Sequence, residues 1–103
     1  GFATATPQGY NGDVNRSPVP RLPATKEANK PRYWEREPYN YGDCTKYEVG
    51  DDFGSVWDLD AAASALILKS AGINDVWEDP MAGLYGTASS KDISHAIICY
   101  DQP

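Results

Sequence analysis

The sequence predicts an all-β protein: a small disulfide-stapled β-sandwich carrying an extended, proline-rich N-terminal arm. Three observations carry that expectation. Short runs in which polar and apolar residues alternate recur between residues 45 and 100, the pattern of half-buried strands. Cys44 and Cys99 enclose nearly all of those runs. Six of the eight prolines fall within residues 1–43. The expected division is therefore an arm over 1–43 and a compact domain over 44–103.

The arm contains Pro7, Pro18, Pro20, Pro23, Pro31 and Pro38 and almost no apolar periodicity. Proline fixes φ and removes a backbone donor, so neither a helix nor a central strand is expected here. Polyproline II and turns are expected instead. A segment this poor in apolar residues cannot fold around its own core, so its order must come from its own domain, a neighbouring copy or a different subunit. A body of about 60 residues offers little surface for 40 more to wrap, which favours a partner.

The arm closes on Arg32-Tyr33-Trp34-Glu35-Arg36-Glu37-Pro38-Tyr39-Asn40-Tyr41. Rigid rings beside arginine suit a docking patch, with Tyr33, Trp34, Arg36, Tyr39 and Tyr41 as its anchors. The same rings could instead cover the sheet that follows, and the residues alone do not choose. Glu35 and Glu37 cancel the charge that a single-strand nucleic-acid binder would need. Asn15-Arg16-Ser17 is a formal glycosylation sequon, weakened by Pro18.

Within the compact part, Thr45–Val49 and Ser55–Leu59 read as strands around a turn at Gly50–Gly54. Asp75–Asp79 reads as another, stopped by Pro80. Met81–Ser90 reads as loop, and Ile93–Tyr100 as the closing strand. The stretch Asp60–Gly72 is ambiguous. Its alanines, its Asp60 cap and its Gly72 stop favour a helix. The unbroken run Ala65-Leu66-Ile67-Leu68 also suits a strand buried on both faces.

Charge narrows the partners. The net charge of −6 is uneven: residues 1–43 carry six Lys/Arg against five Asp/Glu, and residues 44–103 carry three against ten. An acidic body repels phosphate backbones, so nucleic acid is not an expected partner. No apolar run reaches the ~18–20 residues needed to span a bilayer. The opening Gly1-Phe2-Ala3-Thr4-Ala5 looks like a chain front left by a signal peptidase, although a chain trimmed elsewhere would look the same.

Two cysteines in a small chain of secreted appearance are expected to form a disulfide, the alternative being two buried thiols in a cytosolic protein. His95 is the single histidine. Ser94 and Asp92 are close in sequence, but neighbours along a strand point to opposite faces, so a structural histidine is expected and no catalytic residue is assigned. Asp51, Asp52, Asp58 and Asp60 lack the spacing of a calcium loop. They read as solvated turn carboxylates, and no metal or cofactor is expected.

The run Ala65–Trp77 together with Ile93-Ser94-His95-Ala96-Ile97-Ile98-Cys99-Tyr100-Asp101 resembles a small secreted β-rich module of bacterial and archaeal surface proteins. The shared features are an apolar strand ending in Lys69 and a closing strand of the form Ser-His-x-x-x-Cys-Tyr. Cys44 matches an earlier cysteine of that family. The resemblance covers about residues 44–101 and none of the arm. This chain departs from the family pattern in being short between Cys44 and Trp57, and in carrying Ser70-Ala71 where a glycine pair is common. The resemblance implies that Ala65–Lys69 is a strand, and it implies no enzymatic activity.

The functional expectation is a secreted, non-enzymatic structural subunit of a filament or surface layer, its arm packing on another copy by strand addition. Two alternatives stand beside it. One is an accessory subunit whose arm clamps a larger periplasmic or lumenal complex. The other is a carbohydrate-binding module that stacks sugars on Trp34, Trp57 or Trp77.

Overall fold

In the computed structural model, which describes residues 13–101, the chain forms two β-sheets and a short helical cover. The strands are β1 (Val14–Asn15), β2 (Arg21–Pro23), β3 (Asp43–Glu48), β4 (Val56–Leu59), β5 (Ala65–Ser70), β6 (Ile73–Glu78), β7 (Gly83–Gly86) and β8 (His95–Tyr100). The large sheet has the order β2-β6-β5-β8-β3, and the small one β1-β7-β4. Every pairing is antiparallel except that of β1 with β7. The all-β class and the disulfide staple expected from the sequence are both present.

The ambiguous stretch resolves as strand β5, at the centre of the large sheet. Ala65, Leu66, Ile67 and Leu68 are all fully buried. Helix propensity lost here because a central strand covered on both faces is apolar at every position and shows no period of two. Leu66 and Leu68 join Trp57, Leu59, Trp77, Tyr85, Ala96 and Ile98 in a core between the two sheets. Ala65 and Ile67 point the other way, into a second core with Trp34, Tyr41, Val76, Ile97 and both cysteines.

That second core is built by the arm. Its described part, residues 13–43, packs on its own chain and is not uniformly extended. β1 and β2 each add an outer strand to one sheet. A 3₁₀ turn over Glu27–Asn29 leads into a one-turn helix, α1, over Pro31–Glu35. The exclusion of helix was therefore too strong. Pro31 occupies the first turn of α1, where a missing N–H costs nothing because that donor has no helical partner. The strands obey the rule for proline, since β2 is an outermost strand with Pro23 in it.

Arg16 fastens the front of the arm, donating to the Thr87 carbonyl (2.8 Å) and the Ser55 hydroxyl (3.0 Å). Its guanidinium lies where a side chain on Gly86 would be, 2.8 Å from a Cβ built there. At the far end Gly42, with φ of +104°, brings the chain against the Tyr100 backbone so that β3 can begin. Only glycine accepts both that φ and that approach.

The strand over 83–86 was not expected. Gly-Leu-Tyr-Gly reads as loop, yet Leu84 and Tyr85 are buried and pair with Asp58 and Trp57. Elsewhere the elements agree with the alternating runs and differ at their ends, where β3 starts at Asp43 and β6 at Ile73.

Two stability predictions follow from this layering. Trp34→Ala removes the largest fully buried side chain of the arm-side core and should cost about 3–5 kcal/mol in urea unfolding. Replacing both Cys44 and Cys99 by Ala opens a link across 55 residues. It should cost about 4 kcal/mol by the chain-entropy relation, read as a lower unfolding midpoint than that of the oxidised chain.

Candidate functional site

The residues singled out by sequence fall into three places. Cys44 and Cys99 are bonded and lie directly opposite each other on β3 and β8. Of the five aromatic-patch residues, Trp34 and Tyr41 lie inside the chain's own core, Tyr33 and Tyr39 are half-buried against it, and only Arg36 is exposed. The Trp34 indole donates to the Ala28 carbonyl (3.0 Å), and its ring meets Tyr33 edge-on at 5.1 Å. Tyr41 donates to Glu78 (2.6 Å), and burial followed by that bond raises its pKa. These rings cover the large sheet. The three proposed sugar platforms are also interior, Trp34, Trp57 and Trp77 being no more than 6% exposed.

The carboxylates and the sequon are accounted for locally. Asp51 and Asp52 are exposed in a turn and Asp58 lies on β4. Among the described residues no cluster of three His, Cys, Asp or Glu could hold a metal ion. The Asn15 side-chain oxygen accepts from the Ser17 amide (2.9 Å) and the Trp77 indole (3.0 Å). Sequence reasoning missed Asp75, which is fully buried and bonded to Arg21 Nε (2.7 Å) and the Ala88 amide (3.0 Å). An acidic residue opening an alternating run carries no sign that its strand will be central.

Strand register places Glu48, His95, Lys69 and Asn74 in one row on the arm-side face of the large sheet. His95 and Asn74 are buried, and neither His95 Nε2 nor the Asn74 amide has a hydrogen-bond partner among the described residues. Burial and the Lys46 and Lys69 ammonium groups push His95 down to about 4, with Glu48 opposing. Ser94 is exposed while His95 is buried, so the two diverge as strand neighbours should. This row holds the imidazole between Glu48 and Lys69 and assembles no nucleophile with it.

The large sheet ends in β3, which at six residues is the longest outermost strand among the described residues. Cys44 and Cys99 have Cα atoms 4.0 Å apart, the close spacing of a pair that does not exchange backbone hydrogen bonds. Two bonds agree: the Cys99 carbonyl accepts from Ser64, away from β3, and the Cys44 amide donates outward to Glu35 (2.8 Å). Alternation along β3 then turns the amides and carbonyls of Lys46 and Glu48 outward as well. Among the described residues no strand pairs with them. Lys46 and Glu48 bond to each other on one face (3.0 Å), which holds the Glu48 carboxyl below the usual carboxylate range. Tyr47 projects from the other face, 42% exposed, its ring 6.0 Å from Trp57.

The other outermost strands are shorter: β2 follows Pro20 and ends in Pro23, β1 is two residues long, and β4 is four. Compared with known proteins, the chain matches no family model, no curated protein and no solved structure.

The buried imidazole predicts an acid-sensitive fold. Unfolded, the group titrates near 6.5; folded, near 4. The unfolded chain therefore binds more protons between those values, and stability is complete above pH 6.5 and falls as pH drops toward 4. Urea unfolding at about pH 7 and about pH 4.5 should differ by about 2–3 kcal/mol more in the native chain than in His95→Gln.

Proposed function

We propose that the chain is a non-enzymatic structural module of an extracellular assembly, joining other protein chains through a sheet edge. The observation that carries this reading is the edge of β3, unpaired by any strand among the described residues and braced by a covalent bond to β8. A strand with outward amides and carbonyls is a template for another strand. The Cys44–Cys99 bond keeps that template from peeling away from its own sheet when it is loaded.

The disulfide suits an oxidising compartment, and among the described residues no helix is long and apolar enough to cross a membrane. The described part of the arm is engaged within its own chain, so the contact between subunits is assigned to the sheet edge and not to residues 13–43. The resemblance of β5 and β8 to a secreted surface module points the same way. Sugar binding draws no support from the three tryptophans, whose faces are spent in the two cores.

Sedimentation of the oxidised full-length chain across a wide concentration range tests the reading. Discrete species heavier than one chain, weakened when Cys44 and Cys99 are reduced, are the expected result. A single-chain mass at every concentration would overturn self-assembly in favour of an accessory role on a foreign complex.

A further inference from the structure

The structure assigns a partner and a register to the open edge. We propose that β3 pairs with β3 of a second copy, antiparallel, about a two-fold axis through Tyr47, so that two large sheets become one. This rests on the assembly reading above and goes further by naming the strand, the occupant and the alignment.

Backbone geometry limits the choices. Only Cys44, Lys46 and Glu48 turn their hydrogen-bonding groups outward on β3, and the Cys44 amide is already held by Glu35. Beyond Glu48 the chain leaves the strand and enters the turn at Asp51 and Asp52. A second strand must therefore meet the outward groups of Lys46 and Glu48 with outward groups of its own. For two copies of this edge, three alignments do so.

Lys46 opposite the partner's Lys46 sets like charges face to face and sends Glu48 to the partner's occupied Cys44. Glu48 opposite the partner's Glu48 again opposes like charges and sends Lys46 to the partner's Gly50, outside the strand. The third sets Lys46 opposite the partner's Glu48 and Glu48 opposite the partner's Lys46. It makes two pairs of opposite charge and lets both residues exchange backbone hydrogen bonds.

That alignment also settles Tyr47. It falls on the symmetry axis opposite the partner's Tyr47, at a pair without backbone bonds, where side chains approach most closely. Tyr47 is among the few large hydrophobic side chains of the described residues that remain well exposed. Two such rings bury each other across the axis on a base already formed by Trp57. The contact is isologous, as a two-fold dimer requires. A foreign strand would have to bring an acid opposite Lys46, a base opposite Glu48 and a ring between them. The edge itself already has that sequence.

Charge exchange tests the register. Lys46→Glu and Glu48→Lys are surface changes, and each turns both cross-strand pairs from attraction to repulsion. Each variant alone should dimerise about tenfold more weakly than the native chain. Mixed in equal amounts, the two should recover a heterodimer, because each then supplies the charge that the other lacks. Sedimentation velocity and native mass spectrometry read both effects, and recovery on mixing shows that both variants are folded. Native-like dimerisation by either variant would overturn the edge while leaving the assembly reading in place. Weakening without recovery on mixing would overturn the register. A native chain of single-chain mass at every concentration would overturn both readings together.

Discussion

The structure depends on one constraint: its central sheet is apolar on both faces. β5 places Leu66 and Leu68 on one side and Ala65 and Ile67 on the other, with all four fully buried. A sheet of this kind needs two covers, and a chain of about a hundred residues has little to make them from. The small sheet is one cover. The other comes from the proline-rich arm, whose short helix and stacked rings seal the face that carries the disulfide. What reads as an appendage in sequence is a layer of the core. The cost of ordering a segment without a core of its own is offset because it borrows the core of the sheet beneath.

Much of this was legible, and the failures have physical causes. β4 follows its alternating residues, because Trp57 and Leu59 turn to the core between the sheets while Val56 and Asp58 do not; β6 and β8, buried on both faces, are marked instead by the turn residues that bound them. β5 gave no clear signal because burial on both faces removes the alternation that marks a strand. β7 was missed because two glycines bracket only Leu84 and Tyr85, and its pairing with β4 and β1 is supplied by distant residues. α1 was excluded on the strength of the prolines around it, although Pro31 stands at the position where proline is tolerated. Aromatic residues in the arm announced a contact, but composition does not say which surface the rings meet.

The open edge lay further from view. That residues 45–49 form a strand is written in their alternation. That this strand is outermost follows from the order of five strands, and hence from pairings such as Lys46 with Ile97 and Ile67 with Val76. Glu35 shows the same limit. In sequence it is one of two acids among aromatics; in the fold it closes the outward amide of Cys44. Prolines at β2 and brevity at β1 each blunt an edge, whereas β3 carries the paired charges of Lys46 and Glu48.

The position of the arm in the chain has a consequence for how the molecule is made. The arm is synthesised before the strands that it covers, and their sheet is not complete until β8 is in place. Trp34 and Tyr41 must therefore wait, exposed, for strands that do not yet exist. A topology ruled by contacts so distant in sequence folds slowly. During that interval the unsealed apolar face is open to association with other chains. The disulfide from Cys44 to Cys99 can form only when that wait is nearly over, so its closure marks the end of the vulnerable period.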